Sequence, residues 1–164
     1  MNMARRFRKI RYDEKKGQVT LIWEDGKAHE DKYSLECMES PRPEFVKAFK
    51  ELAKHVAELC ELPADYADRI TTRSVSLNYG GVQETMGAVL SAVMELEQSN
   101  GVLVLNTPHK TVEMLTETAE PNAKMLLTAE CIETLEMLID EAHEYVKGVR
   151  AQGDLFTPAI GESA

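Results

Sequence analysis

Glu84-Thr85-Met86-Gly87-Ala88-Val89-Leu90-Ser91-Ala92-Val93-Met94-Glu95-Leu96 decides the fold, because two periodicities fit it. As a strand, Met86, Ala88, Leu90, Ala92, Met94 and Leu96 line one face at period two. As a helix, Met86, Val89, Leu90, Val93 and Leu96 line one face at spacings of three and four. Gly87 weakens the helix. Ser99-Asn100-Gly101 is a turn signal, and Val102-Leu103-Val104-Leu105 after it reads as a partner strand. The hairpin reading places a strand at 84–96.

The rest of the second half follows from that choice. Ile70 to Asn78 is rich in β-branched residues, with Val75, Leu77 and Tyr79 alternating, and Tyr79-Gly80-Gly81 turns the chain. Residues 106–124 read as a loop. A helix begins after Thr128, a good N-cap, with Leu127 and Ile132 at the positions of a hydrophobic staple. Its apolar stripe is Ile132, Leu135, Leu138, Ile139, Ala142, Tyr145 and Val149, and Gly148 marks its end.

The first half has the same plan. Residues 7–12 form a weakly alternating strand. In 18–24, Val19, Leu21 and Trp23 face one way, and Thr20, Ile22 and Glu24 the other. In 31–38, Tyr33, Leu35 and Cys37 share a face, and Asp25-Gly26 is a hairpin signal. Pro41 and Pro43 precede a helix over 44–62, where Phe45, Phe49, Leu52, Val56 and Leu59 make one stripe and Pro63 stops it. The expected fold is α+β: an antiparallel sheet built from two β-β-β-α halves, with both helices on one face. Residues 1–150 read as one domain with halves 1–63 and 64–150, and 151–164 as a C-terminal tail. The apolar sheet edges of such a fold favour self-association, so a homo-oligomer, in the first instance a homodimer, is expected.

Acidic residues outnumber basic ones by 28 to 19, a net charge of −9, which argues against a general nucleic-acid coat. Arg5, Arg6, Arg8, Lys9 and Arg11 nonetheless make the N-terminal segment basic, and any contact with nucleic acid is expected there. No apolar run reaches membrane length, and the N-terminus lacks the apolar core of a signal peptide; a cytoplasmic location is expected. Cys37, Cys60 and Cys131 lie far apart without metal-ligand spacing and read as small buried hydrophobes. No metal and no cofactor is expected.

Local motifs for catalysis do not appear: there is no GxSxG, HExxH, P-loop or GxGxxG, so no enzymatic role is expected and no catalytic residue is assigned. Tyr79-Gly80-Gly81-Val82 lacks the strand-loop-helix setting of a phosphate cradle. His29 falls in a hairpin; His55 and His143 fall on helices, where surface or core-edge positions are the default. Glu130, Glu133, Glu136 and Asp140 read as a solvated helix face. Asn106-Thr107-Pro108-His109-Lys110-Thr111 is the best internal candidate for a ligand. It offers an amide, hydroxyls, an imidazole and an ammonium in six residues, an inventory suited to a phosphate or nucleotide. Arg42 and Arg73 are the further cations expected to join Asn106, Thr107, His109 and Lys110.

Gln152-Gly153-Asp154-Leu155-Phe156 places two large apolar side chains just past a helix end. Gln152, Asp154, Leu155 and Phe156 resemble, position by position, the short motif by which bacterial replication and repair proteins bind the sliding clamp of DNA polymerase; Gly153 departs at the second place. The resemblance implies that Leu155 and Phe156 enter an apolar cleft on the clamp while Gln152 hydrogen-bonds at its rim. More broadly, four segments resemble small uncharacterised proteins of bacteriophages and prophages: Lys9-Ile10-Arg11-Tyr12-Asp13, Pro41-Arg42-Pro43-Glu44-Phe45, Leu105-Asn106-Thr107-Pro108-His109 and the ending from Arg150 to Phe156. That resemblance implies an accessory role in the host bacterial cytoplasm, acting on DNA replication or on host defence. The function expected is a phage-encoded interaction protein that engages the sliding clamp through its tail. The alternative is an oligomeric nucleotide binder that sequesters a defence signal.

Overall fold

The computed structural model describes residues 5–25, 31–113 and 123–151. In chain order the elements are β1 (Arg6–Asp13), β2 (Gln18–Asp25), β3 (Asp31–Cys37), α1 (Pro43–Leu59), β4 (Ile70–Gly80), β5 (Thr85–Glu95), β6 (Val102–Asn106), β7 (Lys110–Thr111) and α2 (Ala129–Lys147). Short 3-10 turns lie at Ala64–Arg69 and Ala123–Met125. All seven strands form one antiparallel sheet in the order β3-β2-β1-β4-β5-β6, with β7 pairing β5 beyond the end of β6. The two helices pack against the sheet and against each other.

The deciding stretch is a strand. Met94 lies opposite Leu103 and Ala92 opposite Leu105, so the turn at 96–101 closes the expected hairpin. Ala88, Leu90, Ala92 and Met94 are buried in the core, joined by Val19 and Leu21 of β2, Ile10 of β1 and Val75 and Leu77 of β4. Against them α1 sets Phe45, Phe49, Leu52 and Val56, and α2 sets Leu135, Leu138, Ala142 and Tyr145. Truncating one of these fully buried Leu residues to Ala costs about 2–5 kcal/mol.

Both helix starts follow local chemistry. Pro43 occupies the first turn of α1, where its missing N–H costs nothing. Thr128 caps α2 by accepting the Cys131 N–H at 3.2 Å. At the other end Gly148 takes φ +108°, a left-handed value that favours glycine, and its N–H closes on the Tyr145 carbonyl at 3.0 Å.

Several expectations change. The segment 106–124 is more than a loop: Thr107 donates its N–H to the Leu90 carbonyl and accepts the Leu90 N–H on its hydroxyl, both at 2.9 Å. The chain thereby stays on the edge of β5 and pairs again as β7, the seventh strand. Helix α1 ends at Leu59 rather than 62, because Leu62 N–H returns to the Ala57 carbonyl and Glu61 turns at φ +58°. His55 is not at the surface or core edge but 1% exposed, because α1 is covered by α2 as well as by the sheet. Cys131 is buried, its thiol pushed up to about 11 by burial, whereas Cys37 and Cys60 are only partly covered. The basic N-terminal segment is no arm. It is β1, an inner strand between β2 and β4, and Arg6 is held there by Glu24 and Glu84. Glu130, Glu133, Glu136 and Asp140 are exposed, as expected. Gly26 and His29 lie outside the described residues.

Candidate functional site

Strand β6 has the composition of a core strand but the position of an edge. Its inner side pairs with β5, and among the described residues no strand pairs with its outer side. Period-two alternation gives Val102 and Val104 to one face and Leu103 to the other, yet all three are open: Val102 is 50% exposed, Leu103 45% and Val104 65%. A row of unmet backbone donors and acceptors flanked by apolar side chains is a template for another strand. Gly101 to Thr107 carries no charged side chain, in a chain whose net charge is −9.

The six residues expected to gather round a nucleotide line separate parts of the surface. Arg42 donates from Nε and Nη2 to the two carboxylate oxygens of Glu141, each at 2.7 Å, and borders a hollow with Met137, Asp140, His143 and Lys147. Glu141 is nearly buried on α2, and a buried carboxylate demands such a fork; Arg42 is therefore spent on joining α1 to α2. Arg73 lies at a β-bulge in β4 and borders a second hollow among Asp13, Glu14, Glu95 and Glu97. His109 borders a third, with Nε2 2.8 Å from Asn78 Oδ1. Asn106 accepts the Ser91 hydroxyl at 2.7 Å, Thr107 is committed to Leu90, and Lys110 sits on β7. Among the described residues, no three His, Cys, Asp or Glu side chains are grouped as a metal site, and no helix is long and apolar enough to cross a membrane.

At the end of α2 the structure makes a latch that sequence reading missed. Arg150 donates from Nη1 to the Tyr145 carbonyl at 2.6 Å and from Nε to Glu39 Oε1 at 2.8 Å. Its guanidinium carbon stacks 3.5 Å from the Tyr145 ring centroid. The Tyr145 hydroxyl, its acidity suppressed first by burial, donates to the Glu39 carbonyl at 2.6 Å. Ala151 N–H then donates to the Ser40 carbonyl at 3.0 Å. The only sequence signal was an Arg one turn past a stripe Tyr, after a helix-ending Gly. Gln152, Asp154, Leu155 and Phe156 lie outside the described residues.

No protein-family model, no curated protein and no solved structure matches the chain.

Proposed function

We propose that this is a phage-encoded accessory protein acting on host DNA replication, whose domain self-associates through β6 and whose C-terminal segment docks the bacterial sliding clamp. The observation that carries the docking reading is the latch. The domain fixes its chain as far as Ala151, and Gln152, Asp154, Leu155 and Phe156 follow directly. A clamp-binding segment works by inserting a few apolar anchors into a cleft, and a nearby rigid exit point lowers the entropy of presenting them. Purified bacterial clamp is expected to bind the full chain and to lose binding on Leu155→Ala/Phe156→Ala. Binding that survives the double substitution, or is absent from both proteins, overturns the reading.

The homodimer is read as antiparallel pairing of β6 with its own copy about a two-fold axis at Val104. That register sets Leu103 against Leu105 and Val102 against Asn106, so no charge opposes a charge. The same symmetry logic supports reading the sheet as two β-β-β-α halves with both helices on one face. The strand order mirrors itself across the β1–β4 seam, β3-β2-β1 on one side and β4-β5-β6 on the other.

A second reading, an oligomeric nucleotide binder acting against host defence, is favoured by one observation. Acidic residues line the hollows beside Arg42 and Arg73, but among the described residues no carboxylate lines the one beside His109.

A further inference from the structure

The hollow beside His109 lies on the sheet face opposite the helices, at the end of the strands away from the β5–β6 turn. Arg8 of β1, Asn78 and Gly80 of β4, Thr85 of β5 and Thr111 of β7 border it, and its volume is about 290 Å³. That is at the small end for a ligand site, enough for a compact polar group.

Three of its polar groups have a donor to offer. Thr85 is 5% exposed, and its Oγ1 has no hydrogen-bond partner among the described residues. A buried hydroxyl left unpaired is costly, and one that borders a hollow is placed to be satisfied by a ligand. Thr111 is different, since its hydroxyl already donates to the Glu113 carbonyl at 2.7 Å. The Arg8 guanidinium is 3.8 Å from Glu24, beyond hydrogen-bond range, and Glu24 accepts instead from Arg6 at 3.3 Å. With Asn78 Oδ1 held by His109 Nε2–H, the Asn78 amide has its N–H2 left to give. That His–Asn contact depends on Gly87, because a Cβ there would stand 2.3 Å from His109 Nε2. Gly87 leaves room for the imidazole against β5, and His109 acts as a positioning residue for Asn78.

A guanidinium, an amide N–H2 and a buried hydroxyl border a hollow that no carboxylate lines among the described residues, Glu24 reaching Arg8 only from outside it, and together they make an acceptor-seeking site. We propose that it binds a tetrahedral oxyanion, in the chemical form of a phosphate group, with Arg8, Asn78 and Thr85 as its donors. This rests on the second reading above and narrows it: the recognised part is the phosphate, and Arg42 and Arg73 take no part.

The test is titration of the isotopically labelled full chain with inorganic phosphate and, separately, with adenosine monophosphate, followed by amide chemical shifts. Saturable shifts at residues 8, 78, 85 and 109 are expected with both. Arg8→Gln is expected to weaken both by roughly tenfold or more, the worth of one charge-assisted hydrogen bond. Thr85→Val, which removes an unpartnered hydroxyl, is expected to weaken binding without lowering Tm. If the nucleotide binds elsewhere, or inorganic phosphate does not saturate, or Arg8→Gln and Thr85→Val leave affinity unchanged in folded protein, the phosphate site is overturned while the nucleotide reading stands. If neither ligand binds, both fall.

Discussion

Arg150 stacks on the ring of Tyr145 and hydrogen-bonds the backbone carbonyl of the same residue, so one side chain closes the end of α2 onto itself. Glu39 completes the unit from across the fold. Its carboxylate accepts from Arg150 and its carbonyl accepts from the Tyr145 hydroxyl. The last turn of α2 is thereby tied to the loop that leads into α1.

Arg150→Ala is expected to destabilise the protein by at least about 2 kcal/mol, the worth of the desolvated cation–π contact before its hydrogen bonds are added. The side chain is only 14% exposed, so solvent screens little of this. Arg150→Lys is expected to recover less than half, since an ammonium cannot fork between a carbonyl and a carboxylate. Urea unfolding reads both values; an unchanged midpoint for Arg150→Ala removes the latch from the account.

His55→Leu is expected to raise stability by about 1–2 kcal/mol. The imidazole is buried on α1, its Nδ1 is 3.6 Å from the exposed Glu58 carboxylate, and neither ring nitrogen has a hydrogen-bond partner among the described residues. Leucine has similar bulk and leaves nothing unsatisfied. A lower Tm for the variant would mean that the imidazole is held by a partner.

His143 ties stability to pH. Burial lowers its pKa, and the Arg5 guanidinium, 3.4 Å from Nδ1, lowers it further. A histidine whose folded pKa lies below its unfolded value of about 6.5 takes up its proton more readily in the unfolded chain. Its stabilising contribution is therefore complete above that value and is lost as pH falls through the folded pKa. Tm is expected to drop as pH falls below about 6.5, and His143→Phe, which keeps an aromatic ring against Phe7, is expected to flatten that slope. Parallel pH profiles for the two proteins would count against His143.

If the proposed pairing through β6 holds, Val104→Lys is expected to convert the dimer to a monomer in sedimentation equilibrium. A like charge would then face itself across the two-fold axis, a standard means by which native edge strands refuse partners. The side chain is 65% exposed, so Tm of the isolated domain is expected to move by no more than about 0.5 kcal/mol equivalent. A wild-type chain that sediments as a monomer, or a variant that stays dimeric, excludes pairing through β6.

Much of the fold was legible because its elements are locally consistent. The stripes of α1 and α2, the Thr128 cap, the Gly148 stop and the alternation of β2, β4 and β5 all follow from periodicity and short-range sterics. The 84–96 stretch was ambiguous because a strand and a helix bury equally apolar faces there. Its neighbour decided it: β6 supplies the pairing that only a strand can use. The candidate sites were far less legible. Arg42 looked like a ligand cation until Glu141, ninety-nine positions away, was seen to hold it. Arg8, Asn78 and Thr85 carry no local signal at all, since they belong to three different strands.

The sequence by itself determined the two main helices, the six longer strands, their order and most of the residues that face the core, because these depend on contacts within one helical turn or one hairpin. It also carries the run from Gln152 to Phe156, on which the proposed clamp docking rests and which is read without any tertiary partner. Tertiary structure decided which polar side chains are spent on the fold and which are left over. Burial of Glu141 claims Arg42, the hydrogen bonds of Thr107 to Leu90 hold the chain on β5 to form β7, and the close approach over Gly87 sets His109 against Asn78. Desolvation and close packing act between residues distant in the chain, and no local pattern records where those residues meet.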